Sequence, residues 1–143
     1  MGFQILNKII KVVERKKGGI LLIDYGYIKQ QKKSTLQSIK NHKKQNFFEN
    51  IGQSDITSLV NFKLLKEYLH KKDLDVSNIV TQSFFLNRVG ILNRAEILSN
   101  KMSFRQKADL YIRLKRLLHP KIMGNLFKVI LASKNGKKKL GFN

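Results

Sequence analysis

The stretch Gly19-Ile20-Leu21-Leu22-Ile23-Asp24-Tyr25-Gly26 constrains the fold more than any other part of the chain. Four consecutive aliphatic residues between glycines lack the alternation of a strand with one wet face. They predict a strand covered on both faces, and hence a parallel strand in the interior of a sheet. The run ends in a carboxylate, an aromatic ring and a glycine. In open α/β sheets the carboxyl ends of the strands face the ligand crevice, so Asp24, Tyr25 and Gly26 stand where such a fold does its chemistry. An unpaired acid at the exit of a buried strand is costly. Asp24 is therefore either a functional group or an acceptor for turn amides.

The flanking segments supply helices. Across residues 3–17 the apolar positions Phe3, Ile5, Leu6, Ile9, Ile10, Val12 and Val13 fall at helical spacing. Lys16 and Lys17 suit the negative end of that helix, and Gly18-Gly19 stops it. So wide an apolar face, beginning almost at the first residue, is expected to pack against structure upstream. Residues 28–52 form a long polar connection with a short strand near residues 35–39, and long connections often serve function. Residues 55–60 read as extended, and Asn61 as the N-cap of a helix through Leu64, Leu65, Tyr68 and Leu69. A weak strand falls at residues 76–82. Asn93 with Glu96, and Ser103 with Gln106, have the spacing of capping boxes that open two more helices. The second, residues 104–118, is amphipathic and closes before Pro120. Residues 126–132 give a last strand.

The order helix, strand, insertion, helix, strand, helices, strand argues for an α/β fold. Three strands are too few for a doubly wound sheet, so the sheet is expected to be incomplete. Residues 1–133 form its domain and residues 134–143 a flexible basic tail.

Composition bounds the partners. With 143 residues and 42% apolar side chains the chain can build a core, and the absence of cysteine excludes disulfides, thiolate metal sites and cysteine nucleophiles. The net charge of +20 allows a polyanion partner. Lysine outnumbers arginine 23 to 6, however, and is spread along the chain apart from Lys137-Lys138-Lys139. That pattern favours coding bias and solubility over a dedicated nucleic-acid surface, which leans on the arginine fork. The longest aliphatic run falls far short of the ~20 residues of a membrane helix.

Motifs exclude several chemistries. Neither the Walker pattern nor G-x-G-x-x-G occurs, nor any zincin, EF-hand or nucleophile-elbow string. His42, His70 and His119 have no ligand spacing, so no metal is expected. Of nine carboxylates, Glu14, Glu67, Asp73, Asp75, Glu96 and Asp109 fall on helix faces or turns, where pairing with neighbouring cations explains them. Asp55 reads first as a turn residue. Arg105, Lys107, Arg113, Lys115 and Arg116 give residues 104–118 a basic face suited to a surface helix or to an anionic partner.

Several strings taken together resemble a known family. They are residues 19–26, Ser34-Thr35-Leu36 with His42, and Gly52-Gln53-Ser54-Asp55-Ile56-Thr57 leading to Val60-Asn61-Phe62. Further on come Thr81-Gln82-Ser83-Phe84-Phe85-Leu86 with Gly90, then Pro120, Met123-Gly124 and Phe127-Lys128-Val129. In this order they resemble the MidA family of S-adenosyl-L-methionine (SAM)-dependent methyltransferases. That family includes the mitochondrial arginine methyltransferase needed for respiratory complex I assembly. Asn61 stands where the family usually has Asp, and Ser34 where it has Gly.

The resemblance implies the later part of a Rossmann-like class I methyltransferase fold, a mostly parallel sheet flanked by helices. SAM is the implied cofactor, although the glycine-rich loop that would hold it belongs to an earlier half without counterpart in this sequence. Asp24 and Asp55 become candidates for orienting an acceptor arginine. Tyr25, Gly26 and His42 become candidate walls of the acceptor site, with Thr57 and Gln82 as polar supports. The implied partners are the upstream half of a split enzyme and a protein substrate, in bacterial cytoplasm or, in a eukaryote, the mitochondrial matrix. The rival expectations are a basic noncatalytic module that binds RNA or an acidic protein, and a nonfunctional fragment.

Overall fold

The computed structural model describes residues 2–41, 43–49, 51–134, 136 and 140–142. Helix α1 (Gly2–Lys16) leads into strand β1 (Gly19–Tyr27). The insertion carries β2 (Gln37–Lys40), β3 (Lys43–Gln45) and β4 (Asp55–Thr57), then β5 (Val60–Asn61) leads into α2 (Phe62–His70). Next come β6 (Asp75–Val76), β7 (Val80–Thr81), α3 (Gln82–Arg88), α4 (Ile91–Ser99) and α5 (Phe104–Leu118). A π-helical turn (Pro120–Gly124) and β8 (Phe127–Ser133) complete the order.

The main sheet runs β5-β1-β8-β6, with β7 also paired to β8. β1 and β8 are antiparallel over seven residue pairs, from Gly19↔Ser133 to Tyr25↔Phe127. β5 runs parallel to β1, but only at Gly26↔Val60 and Tyr27↔Asn61. The expectation that β1 is a parallel strand with both faces covered is therefore corrected. Its even positions Ile20 and Leu22 pack on the core, while Leu21, Ile23 and Tyr25 remain 45%, 44% and 43% exposed. The strand buried on both faces is β8, where Val129 and Ile130 are both fully buried. An aliphatic run fits either setting, because it reports apolar surface without saying whether the cover lies in the same chain.

One face of the sheet holds the core. Ile10 and Val13 of α1 and Phe62 and Leu69 of α2 close over Ile130 and Ala132, with Ile20 and Leu22 at the margin. On the other face, α3 packs on β7 and β8, and α4 and α5 pack on α3. β6 and β7 lie end to end beside β8, and the buried Ser77 bridges the gap between them. Its backbone N–H donates to the Leu131 carbonyl at 2.8 Å, and its Oγ accepts from the Leu131 N–H at 2.9 Å. One hydroxyl thus replaces the ladder bonds that a continuous strand would make.

Caps decide several boundaries. Asn61 Oδ1 accepts from the Leu64 N–H at 3.1 Å, and Ser103 with Gln106 forms the expected reciprocal box. The Asn93–Glu96 box does not form, because α4 begins three residues earlier behind Gly90, whose φ of 84° is left-handed. Residues three apart share a helix face, so a box spacing also occurs inside helices. Helix α3, capped by Thr81 Oγ1, replaces the end of the strand expected at residues 76–82. Of the expected tail, Phe142 is buried, with its ring 5.2 Å from that of Phe85. Lys137-Lys138-Lys139 lie outside the described residues.

Candidate functional site

The carboxyl end of β1 faces a small second sheet with strand order β3-β2-β4. Between them lies a slot of about 270 Å³ lined by Tyr25, Gln37, Ile39, Thr57, Ser58 and Leu59. A wider outer cleft of about 420 Å³ shares Tyr25, Gln37 and Leu59 and adds Ser34, Thr35, Lys44 and Leu126. Tyr25 is the wall common to both. Its ring leans on that of Phe127 with centroids 4.0 Å apart and planes tilted by 38°. The opposite wall is held by the Leu59 N–H, which donates to Thr35 Oγ1 at 3.2 Å across 24 residues of insertion.

Register places Asp55 beside this slot. Gln37 opposes Thr57, and Ile39 opposes Asp55, in the β2–β4 ladder. Directly opposed residues share a sheet face. Gln37, Ile39 and Thr57 line the slot, so Asp55 extends the same face at its rim, solvent-exposed. The turn reading of Asp55 gives way to a strand position.

Asp24 is placed differently. It precedes the slot residue Tyr25 on β1 and so lies on the other face of the strand. Its Oδ1 accepts from the Tyr25 N–H at 2.7 Å. Across the ladder it opposes Lys128 of β8, whose pKa is lowered by burial. Asp24 thus accepts from a strand amide rather than a turn amide, and none of the cavities described at this end of β1 is lined by both Asp24 and Asp55.

The remaining candidates divide. Thr57 lines the slot. Gly26 is buried where a Cβ would lie 2.4 Å from Phe62, so its role in the structure is to let the first turn of α2 approach β1. Gln82 is also buried, and its Nε2 donates to the Leu117 carbonyl at 2.9 Å, tying α3 to the end of α5. It follows β7, on the far side of β8 from β1, roughly two strand spacings or ~10 Å from the Tyr25 strand. His42 lies outside the described residues. Gln37 and Ile39 were not anticipated, because a polar insertion with one short strand gives no period from which to assign a face, and Ser58, in the segment read as extended, carries no signal that separates it from its neighbours. Among the described residues, no three His, Asp or Glu side chains converge as a metal site, and no helix is long and apolar enough to cross a membrane.

The chain has relatives among known proteins. Residues 2–80 match the model of a family described as "Putative S-adenosyl-L-methionine-dependent methyltransferase". "Protein arginine methyltransferase NDUFAF7, mitochondrial" of Danio rerio is 27% identical over 124 residues, which are 87% of this chain and 29% of that protein. Two crystal structures from Burkholderia thailandensis superpose over 92% of the chain. One, an uncharacterized COG1565 superfamily protein, has a TM-score of 0.80 at 24% identity and is covered over 38% of its length. The other, a COG1565 superfamily member bound to S-adenosyl-homocysteine, has a TM-score of 0.73 at 25% identity and is covered over 37%. The chain therefore spans about a third of the length of these relatives. It carries part of a Rossmann-like α/β methyltransferase fold, and its matched residues, fold and relatives agree that the chain belongs to the MidA family of SAM-dependent methyltransferases.

Proposed function

We propose that this chain forms the acceptor side of a protein arginine methyltransferase, with the Tyr25 slot receiving the arginine side chain. The observation that carries this reading is the slot itself. It is a small cavity at the carboxyl end of β1 whose mostly apolar lining includes the Tyr25 ring and the polar residues Gln37, Thr57 and Ser58, and the β2–β4 register puts the Asp55 carboxylate on the same sheet face beside it. An aromatic face attracts a guanidinium group by cation–π interaction, and the Asp55 carboxylate offers it a charge-assisted hydrogen bond. Alignment of the acceptor nitrogen is most of what such a transfer requires of its enzyme.

The same slot does not fit the cofactor. At about 270 Å³ it lies below the usual range of small-molecule sites, and no acidic side chain lines it to hold ribose hydroxyls. In the proposed enzyme SAM, held by the rest of the domain, supplies the methyl group. This chain's residues bind and orient the acceptor. The name of the Danio rerio relative supports arginine as the acceptor and the mitochondrion as a location for a eukaryotic bearer. Respiratory complex I assembly, implied by the family resemblance, is the process we assign to the reaction.

The test is methyl transfer from radiolabelled SAM to an arginine-containing peptide, with this chain joined to the unmatched part of the Burkholderia thailandensis homologue. Asp55→Ala should lower transfer at least tenfold while SAM affinity, read by calorimetry, changes less than twofold. Asp24→Ala should act in the same direction but more weakly. Unchanged turnover in Asp55→Ala would remove the slot from the acceptor role. Tight SAM binding by this chain alone would show that the cofactor side has been misplaced.

A further inference from the structure

A third cleft opens past the end of β1. At about 740 Å³ it is larger than the slot and the outer cleft, and it falls in the range of sites that take sizeable ligands. Its lining includes Tyr27, Lys29 and Gln30, from the end of β1 and the loop that follows, and Lys63 and Glu67 from the first two turns of α2. Tyr27 and the slot residue Tyr25 are two positions apart on β1, so they share a strand face at a separation of about 7 Å. The loop joins the sites as well, since residues 28–31 line this cleft and Ser34 and Thr35 line the outer one. An extended peptide covers about 3.3–3.6 Å per residue. A substrate whose arginine enters the slot therefore brings a residue about two to four positions away to the third cleft.

Charge says what that residue is. A cationic acceptor meets a chain of net charge +20, and the encounter is repulsive unless the rest of the substrate supplies negative charge. Residues 28–54, the insertion that walls the slot, carry six lysines against one acid, Glu49. The third cleft brings one of those lysines, Lys29, together with Lys63 of α2. Both are exposed, and among the described residues neither ammonium makes an ion pair. Glu67 is the one carboxylate in the lining. It lies four residues after Lys63 on the helix, the weaker of the two orders for such a pair. Lys44 is placed differently, because it lines the outer cleft, where the acceptor cation itself enters.

We infer that the third cleft is a subsite for an acidic residue of the substrate, so that the enzyme selects an arginine with aspartate or glutamate about two to four residues away. The inference rests on the acceptor reading of the slot and names the class of protein segment that presents the arginine. Lys29 and Lys63 bind the flanking carboxylate, and Gln30 offers it a neutral amide donor. Exposed pairs of this kind add little affinity and act mainly on the choice of partner and the rate of encounter.

The experiment uses this chain joined to the unmatched part of the Burkholderia thailandensis homologue. Its substrates are neutral peptides with one arginine, in which a single glutamate is scanned through the flanking positions against glutamine. With saturating SAM, glutamate two to four residues from the arginine should raise kcat/KM about fivefold in low salt, the yield of one or two exposed ion pairs. The gain should lie in KM, with kcat unchanged, and should shrink as salt is added. Lys29→Gln with Lys63→Gln should turn over the glutamate and glutamine peptides alike. Lys29→Glu with Lys63→Glu should reverse the preference and favour lysine at the same position, which a merely structural role would not produce. Lys101→Gln with Lys115→Gln removes equal charge from exposed sites elsewhere and should keep the preference for glutamate.

Equal turnover of both peptides by the unmodified enzyme, or a preference that survives loss of Lys29 and Lys63, would overturn the subsite and leave the acceptor reading in place. A peptide with citrulline for arginine separates the two in the other direction, its binding being read by fluorescence anisotropy. If its glutamate form binds through Lys29 and Lys63 while no arginine peptide is methylated, the subsite stands and the acceptor reading falls. Displacement of that peptide by SAM would give the cleft to the cofactor and overturn the subsite.

Discussion

The Cβ that Gly26 lacks would stand 2.4 Å from Cδ2 of Phe62 and 2.7 Å from the carbonyl oxygen of Val60. Phe62 is fully buried and begins α2 directly after the β5 residues that pair with Gly26 and Tyr27. The glycine is therefore where strand, parallel neighbour and helix converge, and neither a ring nor a backbone carbonyl can yield cheaply. Gly26→Ala should destabilise the fold by about 1–3 kcal/mol, the usual cost of forcing extra atoms into a packed core. Urea titration would show a lower midpoint at an unchanged slope.

The same junction shows how much was legible in the sequence. The glycine-bounded aliphatic run located β1 and the end of it where the slot lies, and Asn61 announced α2 because a cap is a local device. Strand direction was not legible. β1 finds its partner more than a hundred residues away in β8, and nothing within the run encodes that pairing. The slot was half legible. Tyr25 and Thr57 sit in strings that resemble the family, whereas Gln37 and Ile39 face the slot only because of the β2–β4 register, a tertiary property. Gln82 marks the opposite failure. It lies in a matching string, yet its amide closes the end of α5 on the far side of β8.

Tyr25 stands between packing and the proposed acceptor slot, since its ring rests on Phe127 and also lines the slot. Aromatic pairs contribute about 0.5–1.5 kcal/mol beyond burial. Tyr25→Phe should keep that contact and most of the cation–π attraction, so acceptor affinity in the joined enzyme should fall less than threefold. Tyr25→Ala removes both, and the KM for the arginine peptide should rise about tenfold, equivalent to ~1.4 kcal/mol. Steady-state kinetics at saturating SAM would separate the two variants.

Lys44 lines the outer cleft and would work against the cationic acceptor of the proposed function. With a net charge of +20 the whole chain repels such a ligand, and among the described residues Lys44 is the cation that lines this cleft. The residue is exposed, so salt and solvent screen most of the effect. Lys44→Ala should lower the KM for the peptide roughly two- to threefold in low salt, within the range of exposed charge pairs. The gain should shrink as salt is added, and a salt-independent gain would mean that bulk, not charge, was removed.

Lys128 gives the fold a pH dependence in the alkaline range. It opposes Asp24 on β1 and Thr81 on β7, and its Nζ donates to the Asn125 carbonyl. Burial lowers its pKa below the ordinary lysine value of 10.5, because desolvation penalises the charged form. In the window between the lowered folded value and the ordinary one, the unfolded chain binds more protons than the folded chain. Stability contributed by this group therefore rises with pH through that window and is smallest below it. Lys128→Met removes the titration while retaining the stem. Melts of both proteins from about pH 8 upward should show the unmodified chain gaining relative to Lys128→Met. A constant difference across that range would mean that the lysine keeps its ordinary proton affinity and that the amine on β8 is better hydrated than its position between β1 and β7 implies.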